Sequence, residues 1–237
     1  MLTLYSGPLS FFGAKAEIAL REKGLQFELI MVPFDKSDRY QPRHPEVLRI
    51  NPKQQVPVLV HAGSEAGNVE IFDSTLIFEY LEDTFPEPPL WPATPAARAR
   101  ARLLELTVDD IVLMNIVRLF GLEDKPEDPV AVDARRQAAE HYVDMEARLA
   151  NSDGERNYLL GLFTFADIAL FMALFYGERK GAPLTDATPR LLAWRARMLE
   201  RPAVREVVGR MGAWLKSEGR AVPEYLKETV AERAAGV

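Results

Sequence analysis

Apolar positions recur at two different periods along the first 85 residues. Leu2 to Tyr5 is a short apolar run cut off by Ser6, Gly7 and Pro8, which predicts a strand ending in a turn. Phe12, Ala16, Ala19 and Leu20 then recur at helical spacing, with Lys15, Glu17, Arg21, Glu22 and Lys23 among them as the expected wet face. Gly24 is a natural helix stop, and Leu25 to Val32 predicts a second strand, so the chain opens as a βαβ unit. Residues 34 to 55 read as irregular and polar. Val56 to Val60 is a β-branched strand interrupted by Pro57. Gly63 and Gly67 bracket a turn, and Asn68 to Phe72 predicts the returning strand of an antiparallel hairpin. Asp73 and Ser74 then cap a helix whose apolar face is Leu76, Ile77, Tyr80 and Leu81.

Pro86, Pro88, Pro89, Pro92 and Pro95 crowd the next stretch, where neither a helix nor a central strand is expected. Residues 86–96 therefore read as a linker between a mixed α/β domain, 1–85, and an all-helical domain, 97–237. In the second domain Leu103, Leu106, Leu113, Val117 and Phe120 form one helical stripe, and Pro126 to Pro129 break the chain. Further helices fit 130–150, 164–180, 188–200 and 202–218. Asp110 falls on the stripe between Leu106 and Leu113, and an acid there needs a partner. Asp109 or Asp110 faces a cleft or a dimer partner, or is buried against an arginine, or is solvated if the helix turns. Tyr158 to Gly177 is nearly all apolar but contains Asp167, which is costly in hydrocarbon, so a buried core helix is expected and not a membrane span.

Composition narrows the chemistry. The chain has 237 residues, 48% of them hydrophobic and 27% charged, with a net charge of −6, a balance that calls for neither nucleic acid nor an acidic membrane. It has no cysteine, which excludes disulfides, zinc–thiolate sites and a cysteine nucleophile, so any thiol chemistry uses a thiol from outside. His44, His61 and His141 are too scattered to predict a metal site. No basic-then-apolar leader opens the sequence, and a cytoplasmic protein is expected.

Four places carry candidate chemistry. Pro57 cannot donate to a ladder, so it marks either an edge strand or a cis Val56–Pro57 peptide that leaves the Val56 backbone to pair with an extended ligand. Asp73 and Ser74 open a helix, where exposed N–H groups and the dipole suit a carboxylate, and where Asp73 suits a ligand ammonium. A plain N-cap accounts for the same residues. Ser10 follows the first strand at the start of the first helix. Its hydroxyl either caps that helix or hydrogen-bonds a bound thiolate and lowers the thiol pKa. Tyr5 and Ser6 are its rivals, Tyr5 as a core residue and Ser6 as a turn residue. Thr164 and Asp167 form a structural capping box at a buried helix start.

Taken together these segments resemble the bacterial glutathione S-transferase family. Leu4-Tyr5-Ser6, Pro8-Leu9-Ser10, Lys15 and Ile18 to Leu20 resemble its first strand and helix. Ile50-Asn51-Pro52-Lys53 with Val56 to Leu59 resembles its cis-proline segment, and Asp73 to Ile77 with Tyr80-Leu81 its γ-glutamyl site. Thr164, Ala166-Asp167-Ile168, Trp194 and Arg201 to Val204 resemble its late helices. The resemblance implies a thioredoxin-like α/β N-terminal domain and an all-α C-terminal domain. It implies that Ser10 stabilises the glutathione thiolate, that Val56 beside Pro57 pairs with the cysteinyl backbone, and that Asp73 and Ser74 hold the γ-glutamyl end. Gln55, Lys53 or His44 would meet the glycyl carboxylate. Phe11, Phe12, Asp110 and Leu113 are candidates to line the pocket of a small hydrophobic electrophile. No metal is implied, and the family usually forms homodimers. Gln54 stands where the family often has glycine, and Phe11-Phe12-Gly13-Ala14 departs from its pattern. A serine-type site suits glutathione conjugation; a glutathione-dependent isomerase or ether-cleaving enzyme, or a non-catalytic scaffold, shares the same residues.

Overall fold

A computed structural model of the chain describes residues 1–34, 43–65, 67–151, 154–155 and 157–235. Contacts gather it into two units: 1–89 together with 205–220 and 228–237, and 90–204 together with 221–227.

The first unit is built on four strands in the order β2-β1-β3-β4: β1 (Leu2–Ser6), β2 (Phe27–Met31), β3 (Val58–Ser64) and β4 (Gly67–Phe72). β1 and β2 are parallel, joined by α1 (Phe11–Glu22) as the expected βαβ unit. β3 is antiparallel to both β1 and β4. Having partners on both sides, β3 is an interior strand, so the edge-strand reading of Pro57 falls. The Val56–Pro57 peptide is cis, and the ladder begins one residue later at Val58. Tyr5, Val32, Val56 and Val58 pack on one face with Val47 of α2 (Pro45–Ile50). Leu4 and Leu59, which alternate to the other face, are buried as well. α2 lies inside the stretch expected to be irregular. A six-residue helix is too short for periodicity to reveal, and its start is set by Pro45 after the cap His44. α3 (Ser74–Thr84) follows β4.

The expected wet face of α1 is corrected. Lys15 and Glu17 are fully buried and Lys23 nearly so, because their charges find partners inside. Glu17 pairs with Arg21 at 2.9 Å and with Arg210 of α9 (Pro202–Ser217). Lys23 Nζ reaches Glu82 at 2.8 Å and donates to the carbonyls of Phe85 and Pro88 at 2.7 and 3.0 Å. Lys15 Nζ sits 5.2 to 5.7 Å from the ring centres of Phe11, Phe12 and Phe78.

The second unit is helical: α4 (Pro95–Thr107), a π-helical turn (Val108–Val112), α5 (Leu113–Val117), α6 (Pro129–Leu149), α7 (Phe165–Arg179) and α8 (Pro189–Leu199). A short pair, β5 (Ala150–Asn151) and β6 (Gly154–Glu155), follows α6, and after a 3-10 turn at Glu224–Leu226 the chain enters α10 (Lys227–Ala235), which from residue 228 on groups with the first unit. α7 is buried along Phe165 to Gly177, as expected of a core helix. Among the described residues no helix is long and apolar enough to cross a membrane.

The stripe expected on α4 and α5 is also corrected. Leu103, Leu106, Val117 and Phe120 are exposed, and of that set only Leu113 is buried. The inward face is instead Ala101, Leu104, Val108, Val112, Ile116 and Leu119. Both faces carry apolar residues at helical spacing, so periodicity alone does not fix which one turns inward.

Candidate active site

The register Tyr5↔Val58↔Phe72 brings three chain segments together at one end of the sheet. There the chain leaves β1 through Gly7-Pro8-Leu9 to Ser10, enters β3 through Val56–Pro57, and leaves β4 into Asp73–Ser74. All belong to the first unit.

Ser10 is the N-cap of α1. Its Oγ accepts from the Gly13 N–H at 2.9 Å, its own N–H donates to the Gly7 carbonyl at 3.0 Å, and the residue is 6% exposed. The capping bond occupies one lone pair and leaves the hydroxyl hydrogen as a donor at the positive end of the helix dipole. Capping and thiolate donation are therefore compatible uses of one hydroxyl. Of its rivals, Tyr5 packs into the core on the α2 face, where its ring lies 4.8 Å from His44 and burial pushes its phenol up. Ser6 is buried at the end of β1.

The Val56 side chain is buried, and its backbone N–H and C=O make no hydrogen bond to another described residue. Ahead of it, Asn51 holds the loop. Its Nδ2 donates to the Gln55 carbonyl at 2.6 Å, its Oδ1 accepts from the Lys53 N–H at 2.9 Å, and its carbonyl accepts from the Gln54 N–H at 2.8 Å. Gln54 takes the φ of +56° that glycine adopts readily, so the loop keeps the shape a glycine would give it. Lys53 and Gln55 project as exposed side chains. Asn51 belongs to the segment that resembles the family's cis-proline loop, and its type, an amide just before Pro52 in a polar loop, suits this holding role. His44 caps α2, accepting from the Glu46 N–H on Nδ1 at 3.3 Å, which assigns its proton to Nε2.

Asp73 is also a cap, its Oδ1 accepting from the Thr75 and Leu76 N–H groups at 3.0 and 3.4 Å. Unlike an ordinary N-cap it has φ +80° and ψ 129°, a backbone conformation that costs an L-residue about 1–3 kcal/mol. Ser74, the first residue of α3, is 2% exposed.

Beside Ser10, Phe11 is buried and Phe12 is 37% exposed, their rings edge to face at 4.9 Å. In the second unit Asp110 is exposed, whereas Asp109 in the π-helical turn and Leu113 are buried. Thr164 and Asp167 close the expected capping box. Asp167 accepts from the Thr164 N–H at 2.9 Å and hydroxyl at 3.1 Å, from the Leu159 N–H at 3.1 Å and from Trp194 Nε1 at 3.0 Å. Burial pushes its carboxyl up to about 6. Among the described residues no group of three or more His, Asp or Glu is placed to hold a metal ion.

The chain is similar to known proteins. Residues 4–89 match the glutathione S-transferase N-terminal domain and residues 108–202 the C-terminal domain. A probable glutathione S-transferase GSTU1 of Oryza sativa subsp. indica is 34% identical over 203 residues, covering 80% of this chain and 81% of that protein. The stringent starvation protein A homolog of Coxiella burnetii is 36% identical over 109 residues, which span 46% of this chain and 47% of that one. The crystal structure of a glutathione transferase from Burkholderia graminis, with two glutathione molecules bound per subunit, superimposes with a TM-score of 0.73 at 26% identity. It covers 87% of both chains. With both domains matched in order and a relative of this identity aligned over four-fifths of its length, the chain belongs to the glutathione S-transferase family.

Proposed function

We propose that the chain is a glutathione transferase that holds glutathione at this end of the sheet and uses Ser10 to stabilise its thiolate. The observation that carries the reading is the convergence, fixed by the strand register, of a helix-capping serine hydroxyl, a Val56 backbone with no hydrogen bond to another described residue, and a strained acidic cap. The Asp73 carboxylate and Ser74 hydroxyl take the γ-glutamyl ammonium and carboxylate. Val56 pairs with the cysteinyl backbone. Lys53, Gln55 and the Nε2–H of His44 are the donors for the glycyl carboxylate.

The chemistry follows from charge. A cysteine thiol titrates near ~8.5, so little of it is ionised at neutral pH. A hydroxyl that donates to sulfur favours the charged form, and the N-terminus of α1 acts in the same direction. The thiolate then attacks an electrophilic carbon and a C–S bond forms: in a substitution the pair of the breaking bond leaves with the displaced group, and in an addition the displaced π pair takes a proton from water. With no cysteine in the chain, no mixed disulfide between protein and glutathione is available to it. Phe12, partly exposed beside Ser10, contributes an apolar surface for a small hydrophobic electrophile. A homodimer is proposed on the family's habit, and sedimentation at micromolar concentration checks it.

Isothermal titration with glutathione tests the binding reading. Wild type binds, and Ser74→Ala weakens binding at least tenfold. No heat of binding at millimolar glutathione would favour the scaffold reading instead.

A further inference from the structure

Gly13 is the third residue of α1, and its N–H makes the bond that fixes Ser10 Oγ. A Cβ added to Gly13 would lie 2.2 Å from Ser6 Oγ, 2.9 Å from Ser10 Oγ and 3.0 Å from Ser10 Cβ. The approach to Ser6 is the severe one, and the Ser6 backbone that carries the hydroxyl is held in the sheet. Ser6 is 1% exposed, paired opposite Met31 in the ladder, and its carbonyl accepts from the Val32 N–H at 2.8 Å. Ser10 is held by the Gly7 carbonyl on one side and by Gly13 on the other. The Ser6 hydroxyl thus fills the space beneath the first turn that a side chain at position 13 would need. The turn can rest low on the end of β1 only while position 13 is bare.

We infer that Gly13 is a positioning residue for Ser10: the missing side chain, with the Ser6 hydroxyl packed in its place, sets the height of the first turn of α1 and so the direction of the Ser10 hydroxyl toward the glutathione thiol. The inference rests on the proposed role of Ser10. A methyl group at position 13 lifts the turn or swings Ser10 by a few tenths of an ångström to one ångström, and displacements of that size are felt strongly where a hydrogen bond must meet a reacting atom. It also makes Ser6 a packing residue and not a second thiol contact. Gly13, part of a departure from the family pattern in sequence, becomes matched to Ser6.

The test compares wild type, Ser10→Ala, Gly13→Ala and the double variant Ser6→Ala/Gly13→Ala. The readouts are the ultraviolet thiolate absorbance of bound glutathione against pH, and melting temperature. Gly13→Ala is expected to return the bound thiol most of the way to its solution pKa. Its kcat should fall about tenfold toward a simple aromatic electrophile, with KM for glutathione changed much less. Removing the Ser6 hydroxyl in the double variant should recover most of the thiol shift and of the melting temperature, a rescue that generic helix damage does not give. Should Gly13→Ala fail to fold, the inference requires that the double variant fold and ionise the thiol. It is overturned if Gly13→Ala keeps the wild-type thiol pKa, or if the double variant is no better than the single one. If Ser10→Ala itself leaves the thiol shift intact, the role of Ser10 fails separately. The packing of Gly13 against Ser6 is then judged on melting temperature alone, and no recovery in the double variant overturns it.

Discussion

Asp73 combines a capping carboxylate with a backbone that only glycine adopts without strain, and its two components separate in mutants. Asp73→Ala loses the cap and keeps the strained φ, so it should cost about 1–2 kcal/mol of stability. Asp73→Gly loses the same cap but relieves the backbone, so it should cost only a few tenths of a kcal/mol while weakening glutathione binding as much as alanine does. Urea unfolding and titration calorimetry on the two variants check this, and equal losses of stability would show that the backbone is unstrained. The cap itself was legible, since Asp-Ser before an apolar helical pattern announces it. The positive φ was not, because it arises where β4 must turn into α3 and nothing local in the sequence marks it. The same holds for Gln54, where the residue type argues against the left-handed conformation that Asn51 holds it in.

Helix α7 shows what the element scale contributes. Its start was readable as a capping box, but Trp194 and the Leu159 N–H converge on Asp167 from elsewhere in the chain, which no local pattern predicts. Burial raises the Asp167 carboxyl to about 6, above the 3.8 of an unperturbed Asp, so the folded state takes up a proton before the unfolded state does. The contribution of this group is therefore fully present below pH ~4 and is lost as pH rises through about 6, about 3 kcal/mol in all. The stability of wild type relative to Asp167→Asn should accordingly rise as pH falls from 7.5 to 5. A gap that does not change with pH contradicts the assignment. The other elements were legible in type wherever the pattern was long. The sequence missed α2, too short to show a period, and chose the outer face of α4 and α5 because both faces are apolar.

At the scale of the whole molecule, residues 205–220 group with the N-terminal unit, and the part-buried pair between Glu17 and Arg210 links α9 to α1. The return of α9 was not readable from the sequence, because Glu17 looks like an ordinary surface acid until its partner 193 positions away is known. Arg210→Ala should lower stability by about 2 kcal/mol, less than the ~3–5 expected for a sole buried partner, since Arg21 still pairs with Glu17. It should also open 205–235 to limited proteolysis, and an unchanged cleavage pattern would show that the pair does not hold α9. The antiparallel pairings of β3 with β1 and with β4 place Ser10, Val56 and Asp73 at one end of the sheet, and the central claim is that this end ionises glutathione through Ser10. Its most direct test is the pH titration of the thiolate absorbance of bound glutathione in wild type and Ser10→Ala. The account predicts a bound thiol pKa at least one unit below the solution value of ~8.5 in wild type, moved most of the way back in Ser10→Ala. A thiol pKa that is the same in both proteins would contradict it.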